Sequence, residues 1–165
     1  MTLIDDGLDP ATWNFVARCA SASHSRDTDQ FVATFRELDD PPSDNKVLPY
    51  LIYLTRQQIW HLAPERLTPE RIRSIAEEIY PDFNNMTYVD LDGLESLLLA
   101  AFCKSDYRSQ VGDVSFVGLL AIAIGLLFTD VDSDMARIRP KLVDWCKRAK
   151  EAGQKYENQG EMEKS

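Results

Sequence analysis

Residues 114–128 read VSFVGLLAIAIGLLF, fifteen positions without a charge. As a helix this stretch rises about 22 Å, short of the roughly 30 Å of a bilayer's hydrocarbon core. Asp113 and Asp130 flank it, and no basic anchor stands close by. A helix that is apolar all round has no face for water, so it belongs inside other helices. The expected fold is therefore all-α: a globular bundle of six or seven helices around a central apolar helix at 114–128.

The flanking sequence supplies those helices. Asp9-Pro10, Asp27 and Thr68-Pro69-Glu70 are helix starts, each offering a side-chain cap, twice followed by a proline whose φ is already helical. Trp13, Val16, Ala17 and Ala20 share one face of the first helix, and Phe31, Val32, Phe35 and Leu38 one face of the second. Asp39-Asp40-Pro41-Pro42-Ser43 ends the second helix. The third is strongest from about Pro49 to Leu62, and Leu48, Leu51, Ile52, Ile59 and Leu62 repeat at helical spacing. Ile72, Ile75, Ala76 and Ile79 form the stripe of the fourth, which Pro81 is expected to end. A fifth begins at Asp90 or Asp92, with Leu94, Leu97, Leu98, Ala101 and Phe102 inward. Residues 104–112 read as a loop. The last helix starts among Asp130, Asp132 and Ser133, is expected to break or kink at Pro140, and closes at Gly153. One domain over 1–153 is expected, with 154–165 a polar, frayed tail.

Charge narrows the function classes. The chain of 165 residues has a net charge of −9, which argues against generic nucleic-acid binding and against anionic membrane surfaces. The charge is uneven. Residues 1–45 hold nine acids against three arginines, whereas 135–150 hold six bases against Asp144 alone. Three widely spaced cysteines, Cys19, Cys103 and Cys146, form no disulfide framework and fit a reducing cytoplasm. The N-terminus shows neither part of a signal peptide.

Chemical motifs fail on inspection. Asp130-Val131-Asp132-Ser133-Asp134 opens like a calcium loop, but positions six and twelve are Met135 and Lys141, where glycine and a bidentate glutamate are needed. Asp90-Leu91-Asp92-Gly93 fails in the same way, with Tyr88 and Leu99 at positions one and twelve. His24 and His61 are the only histidines, and no metal-binding spacing joins them to the cysteines. Ser115 lacks a nucleophile elbow, and no phosphate-binding loop is present. No cofactor, metal or catalytic residue is assigned, and the chain is expected not to be an enzyme.

Two features stand above this background. Gly118, Ala121 and Gly125 lie on one face of the apolar helix, which suits either close internal packing or a symmetric dimer seam. Tyr50, Tyr53, Trp60, Tyr80, Phe83 and Tyr88 exceed what one buried stripe accommodates, and aromatic residues are enriched at recognition sites. Arg66, Arg71 and Arg73 follow closely in sequence. The leading expectation is a non-enzymatic helical interaction protein, an adaptor, regulator or immunity-type inhibitor that binds another protein. An inhibitor of a basic partner would use the acidic pole at Asp27, Asp29, Glu37, Asp39 and Asp40. An adaptor would use the aromatic region around Tyr50, Tyr53, Trp60, Arg66 and Arg73. The competing class is a small-molecule binder or enzyme with an inter-helix pocket lined by Tyr53, Gln57, His61 and Arg73.

Overall fold

The computed structural model describes residues 8–39 and 44–163. Eight α-helices follow one another among these residues: α1 Pro10–His24, α2 Thr28–Phe35, α3 Asp44–Leu62, α4 Pro69–Met86, α5 Leu91–Ala100, α6 Tyr107–Val111, α7 Asp113–Leu127 and α8 Val131–Glu163. A 3-10 turn, Arg36–Asp39, follows α2. No strand occurs among the described residues, so the all-helical expectation holds. No single helix among them is long and apolar enough to cross a membrane.

The caps lie where short polar side chains precede apolar stripes. Asp9 accepts from the Thr12 amide at 3.2 Å, Asp27 from Gln30 at 3.0 Å, Thr68 from Arg71 at 3.1 Å and Asp90 from Gly93 at 2.7 Å. Asp90, rather than Asp92, therefore starts α5. At the head of α8, Asp130 accepts from the Ser133 amide at 2.9 Å, while Asp134 takes the Thr129 amide at 2.9 Å. Two of the three acids that resemble a calcium loop, Asp130 and Asp134, are thus occupied by backbone donors at a helix N-terminus.

Two helix ends close without glycine. Arg26 and Cys103 have φ of 57° and 58°. Beside them, Asp27 N–H donates to Ala22 O and Lys104 N–H to Leu99 O, the long bonds of Schellman turns.

Helix α7 packs against α1, α3, α4, α5 and α6. Phe116, Val117, Leu120, Ala121, Ile122, Ala123, Ile124, Gly125 and Leu127 are buried along it. Its first turn is an exception to the expected buried stretch. Val114 is 61% exposed, because Gly112, at φ +87°, turns the chain into the helix at the protein surface. The row of small residues is filled from within the chain. Ser23 Oγ donates to Ala121 O at 3.4 Å, α1 lies against Gly125, and the Phe35 ring lies over Gly118. That face holds intramolecular contacts where the sequence also allowed a dimer seam.

Three prolines and a glycine end nothing here. Pro49 lies inside α3, which begins at Asp44 and not near Pro49. Helix α4 runs past Pro81 to Met86, and α8 past Pro140 to Glu163, through Gly153. A proline inside a helix costs about 3 kcal/mol, but each helix has fully buried side chains beyond it. Phe83 follows Pro81, and Ile138 and Leu142 bracket Pro140. Burying such a side chain gains about 1.5–3 kcal/mol, which offsets much of the missing backbone bond. Residues 107–111, expected as loop, form α6. Beyond Gly153 the backbone continues as helix to Glu163.

Gln58 joins three elements from a fully buried position on α3. Its Nε2 donates to Leu127 O, an otherwise unpaired carbonyl at the end of α7, at 3.1 Å, and its Oε1 accepts from Arg137 of α8.

Candidate functional site

Helix α3 has two unlike faces. Leu51, Leu54, Thr55, Gln58 and Ile59 are buried. Pro49, the adjacent pair Ile52 and Tyr53, Arg56 and Trp60 follow one another at helical spacing and form a second face that is only partly covered. The covering element is α8, whose Trp145 stacks on Tyr53 with ring centroids 5.3 Å apart. Tyr53 Oη donates to the Lys141 carbonyl at 3.1 Å, fixing the ring against α8. Between α3 and α8 runs a groove of about 350 Å³, lined by Leu48, Pro49, Ile52, Tyr53, Arg56, Arg108 and Trp145.

The aromatic surface extends beyond the groove through Arg56. Its guanidinium lies 6.0 Å from the Phe102 ring centroid, and Phe102 meets Trp60 edge-on at 5.5 Å. Arg56 is held by bonds from Nε to the Ala101 carbonyl and from Nη2 to Cys103 Sγ at 3.6 Å. Trp60 is 45% and Trp145 38% exposed, so two indoles on this side meet water.

Charge around the groove differs in sign from the whole chain. Arg108 lines it and pairs with Asp113 at 2.8 Å. Arg148 pairs with Asp144 at 2.9 Å. The Tyr53 hydroxyl is held above its ordinary pKa, first by burial and then by Asp144, while Arg148 opposes the shift.

The expected site residues divide among several places. Tyr53 and Trp60 belong to this surface. Tyr50 does not: it is buried, and its Oη accepts from the Asp9 amide at 2.9 Å. Arg66 is exposed on the α3–α4 connection, where it lines a separate cavity with Arg71. Arg73 clamps α4 to α5 through Asp92 at 2.7 Å and Glu95 at 2.6 Å. Of the pocket set Tyr53, Gln57, His61 and Arg73, only Tyr53 lines the groove. The remaining three are not brought to it, because Arg73 is committed to α5 and His61 sits at the exposed end of α3. Phe83 is core, and Tyr88 is fully exposed on the α4–α5 connection.

The acidic pole is partly consumed by structure. Glu37 forms a two-pronged pair with Arg18, at 2.6 and 2.8 Å, which holds its carboxyl below the usual range. Asp27 caps α2, Asp29 is exposed in the first turn of α2, Asp39 ends the 3-10 turn, and Asp40 lies outside the described residues.

Trp145, Arg56, Arg108 and Phe102 are absent from the sequence-derived set. Trp145 has a weak local signature, an aromatic residue one step before Cys146, which with Leu142 faces inward; Ala149, expected on the same stripe, is exposed. Its partner Tyr53 is remote in sequence, and nothing local predicts that pairing.

Among the described residues no group of three or more His, Cys, Asp or Glu side chains is placed to hold a metal ion, and no buried side-chain nitrogen or oxygen lacks a hydrogen-bond partner. Compared with known proteins, the chain matches no family model, no curated protein and no solved structure.

Proposed function

We propose that this chain is a non-enzymatic interaction module that binds another protein through the α3–α8 groove. The observation that carries this reading is the Tyr53–Trp145 stack forming one wall of an open groove, with Trp60 continuing the aromatic surface past Arg56. Tyrosine, tryptophan and arginine are the side chains that dominate binding energy at protein interfaces, since the two aromatics offer large area with few rotors and arginine a planar fork of donors. Here all three types lie on one side of α3 and α8. The acidic pole is the weaker candidate, because Asp27 is spent as the cap of α2 and the cavity beside it is lined by no aromatic side chain.

The test is affinity capture from native lysate with three full-length baits: the wild type, Trp145→Ala and Glu37→Gln. A set of proteins held by the wild type and by Glu37→Gln, but released by Trp145→Ala, supports the groove. Equal capture by wild type and Trp145→Ala refutes it, and selective loss with Glu37→Gln moves the interaction to the acidic pole.

A further inference from the structure

We infer that the occupant of the α3–α8 groove is an acidic segment of a partner protein, with Asp or Glu placed beside a Leu, Phe or Trp anchor. This rests on the interaction reading above and names the chemistry it leaves open. Three observations carry it. First, the groove is cationic on an anionic chain: Arg56 and Arg108 line it, although the net charge is −9. Second, the α8 wall belongs to the most basic part of the sequence, with six bases against one acid across 135–150. Third, the apolar lining of Leu48, Pro49, Ile52, Tyr53 and Trp145 suits one large side chain, beside guanidinium groups whose planar forks match carboxylates.

The present counterions are weak competitors. Asp113 and Asp144, which pair with Arg108 and Arg148, are both more than half exposed. Exposed pairs contribute little, so a peptide carboxylate arriving with an apolar anchor can displace them. A basic segment would meet Arg56, Arg108 and Arg148 with like charge. Nucleic acid also combines anions with stacking groups, but its many phosphates would face the net negative charge of the whole protein.

The experiment is display selection of random peptides of about twelve residues on the immobilised full chain, followed by anisotropy titration of the selected peptides. Titrations use the wild type, Arg108→Glu/Arg148→Glu and Trp145→Ala, each checked for helix content. Both reversed arginines are about half exposed or more, so reversal buries no new charge. The expected result is a consensus enriched in Asp and Glu around one large apolar residue. Its affinity should fall about tenfold or more in the charge-reversed variant, as loss of close charge pairs does, and also in Trp145→Ala. Peptides that require Trp145 but show no acidic enrichment, or that bind the charge-reversed variant equally well, overturn the acidic occupant and leave the groove standing. Absence of any peptide that requires Trp145 overturns both. A labelled single-stranded oligonucleotide that outcompetes the peptides in a Trp145-dependent way also overturns the inference.

Discussion

Gly125 of α7 sits so close to Ala20 of α1 that a methyl group added to its α-carbon would lie 2.5 Å from the Ala20 carbonyl oxygen and against Ser23 Cβ. His24 Nδ1 donates to the Gly125 carbonyl at 3.1 Å, so the same spot is pinned by a hydrogen bond. The two helices approach this closely only because the residue has no side chain. Gly125→Ala is therefore expected to destabilise the protein by about 2 kcal/mol through overpacking against backbone. Gly118→Ala provides the contrast. Its added methyl meets only the Phe35 ring, at 3.2 Å. Recovering about 1 kcal/mol of helix propensity there should leave stability unchanged or slightly raised. Urea denaturation of both variants reads the difference, and equal midpoints would refute the close approach.

Gln58 is expected to behave as a structural clamp. Gln58→Leu preserves bulk but takes the side-chain donor from the Leu127 carbonyl and one acceptor from the Arg137 guanidinium, which keeps Asp134 at 3.2 Å. An abandoned buried polar group costs about 1–3 kcal/mol, so a loss of about 2 kcal/mol is expected. A thermal melt unchanged by the substitution would show that α3 and α8 are not joined there.

Much of the fold is legible in sequence because its determinants are local. Asp9, Asp27, Thr68 and Asp90 cap the helices they precede, and the uncharged run supplies α7. Pro81 and Pro140 mislead, because a local rule cannot see the burial of Phe83 and Leu142 beyond them. Tyr53 and Trp60 are legible in the candidate surface as aromatic surplus on α3. Trp145 and Arg108 are not, since the groove exists only after α3 meets α8. Tyr50 and Arg73 mislead in the opposite sense, as their side chains are taken by Asp9 and by α5.

The three cysteines should differ sharply in reactivity. Burial pushes the Cys19 thiol up to about 12, so at pH 8 it remains protonated and enclosed. Cys103 is exposed and Cys146 intermediate. Alkylation at pH 8, followed by peptide mass spectrometry, should label Cys103 first and Cys19 only after unfolding. Labelling of Cys19 at the rate of Cys103 in native buffer would contradict its burial.

Acid should weaken the fold through identified carboxylates. Glu37, paired with Arg18, and Asp130, accepting the Ser133 amide, both have folded pKa values below their ordinary ones. A depressed carboxylate contributes stability that is present above its unfolded pKa and lost as pH falls through the folded pKa. Denaturation midpoints should therefore decline below about pH 4 to 5, and Glu37→Gln combined with Asp130→Asn should flatten that decline. An identical acid limb in the double variant would exclude these two groups as its source.

The claim beneath all of these is that the bundle is assembled around α7. Native-state hydrogen exchange by NMR addresses it residue by residue. Amides of Val117, Leu120, Ala121, Ala123 and Ile124, all fully buried, should be among the slowest in the protein and open only with global unfolding. If those amides exchange as fast as the ones in the exposed first turn of α2, the helix is not a buried core and this architecture is wrong.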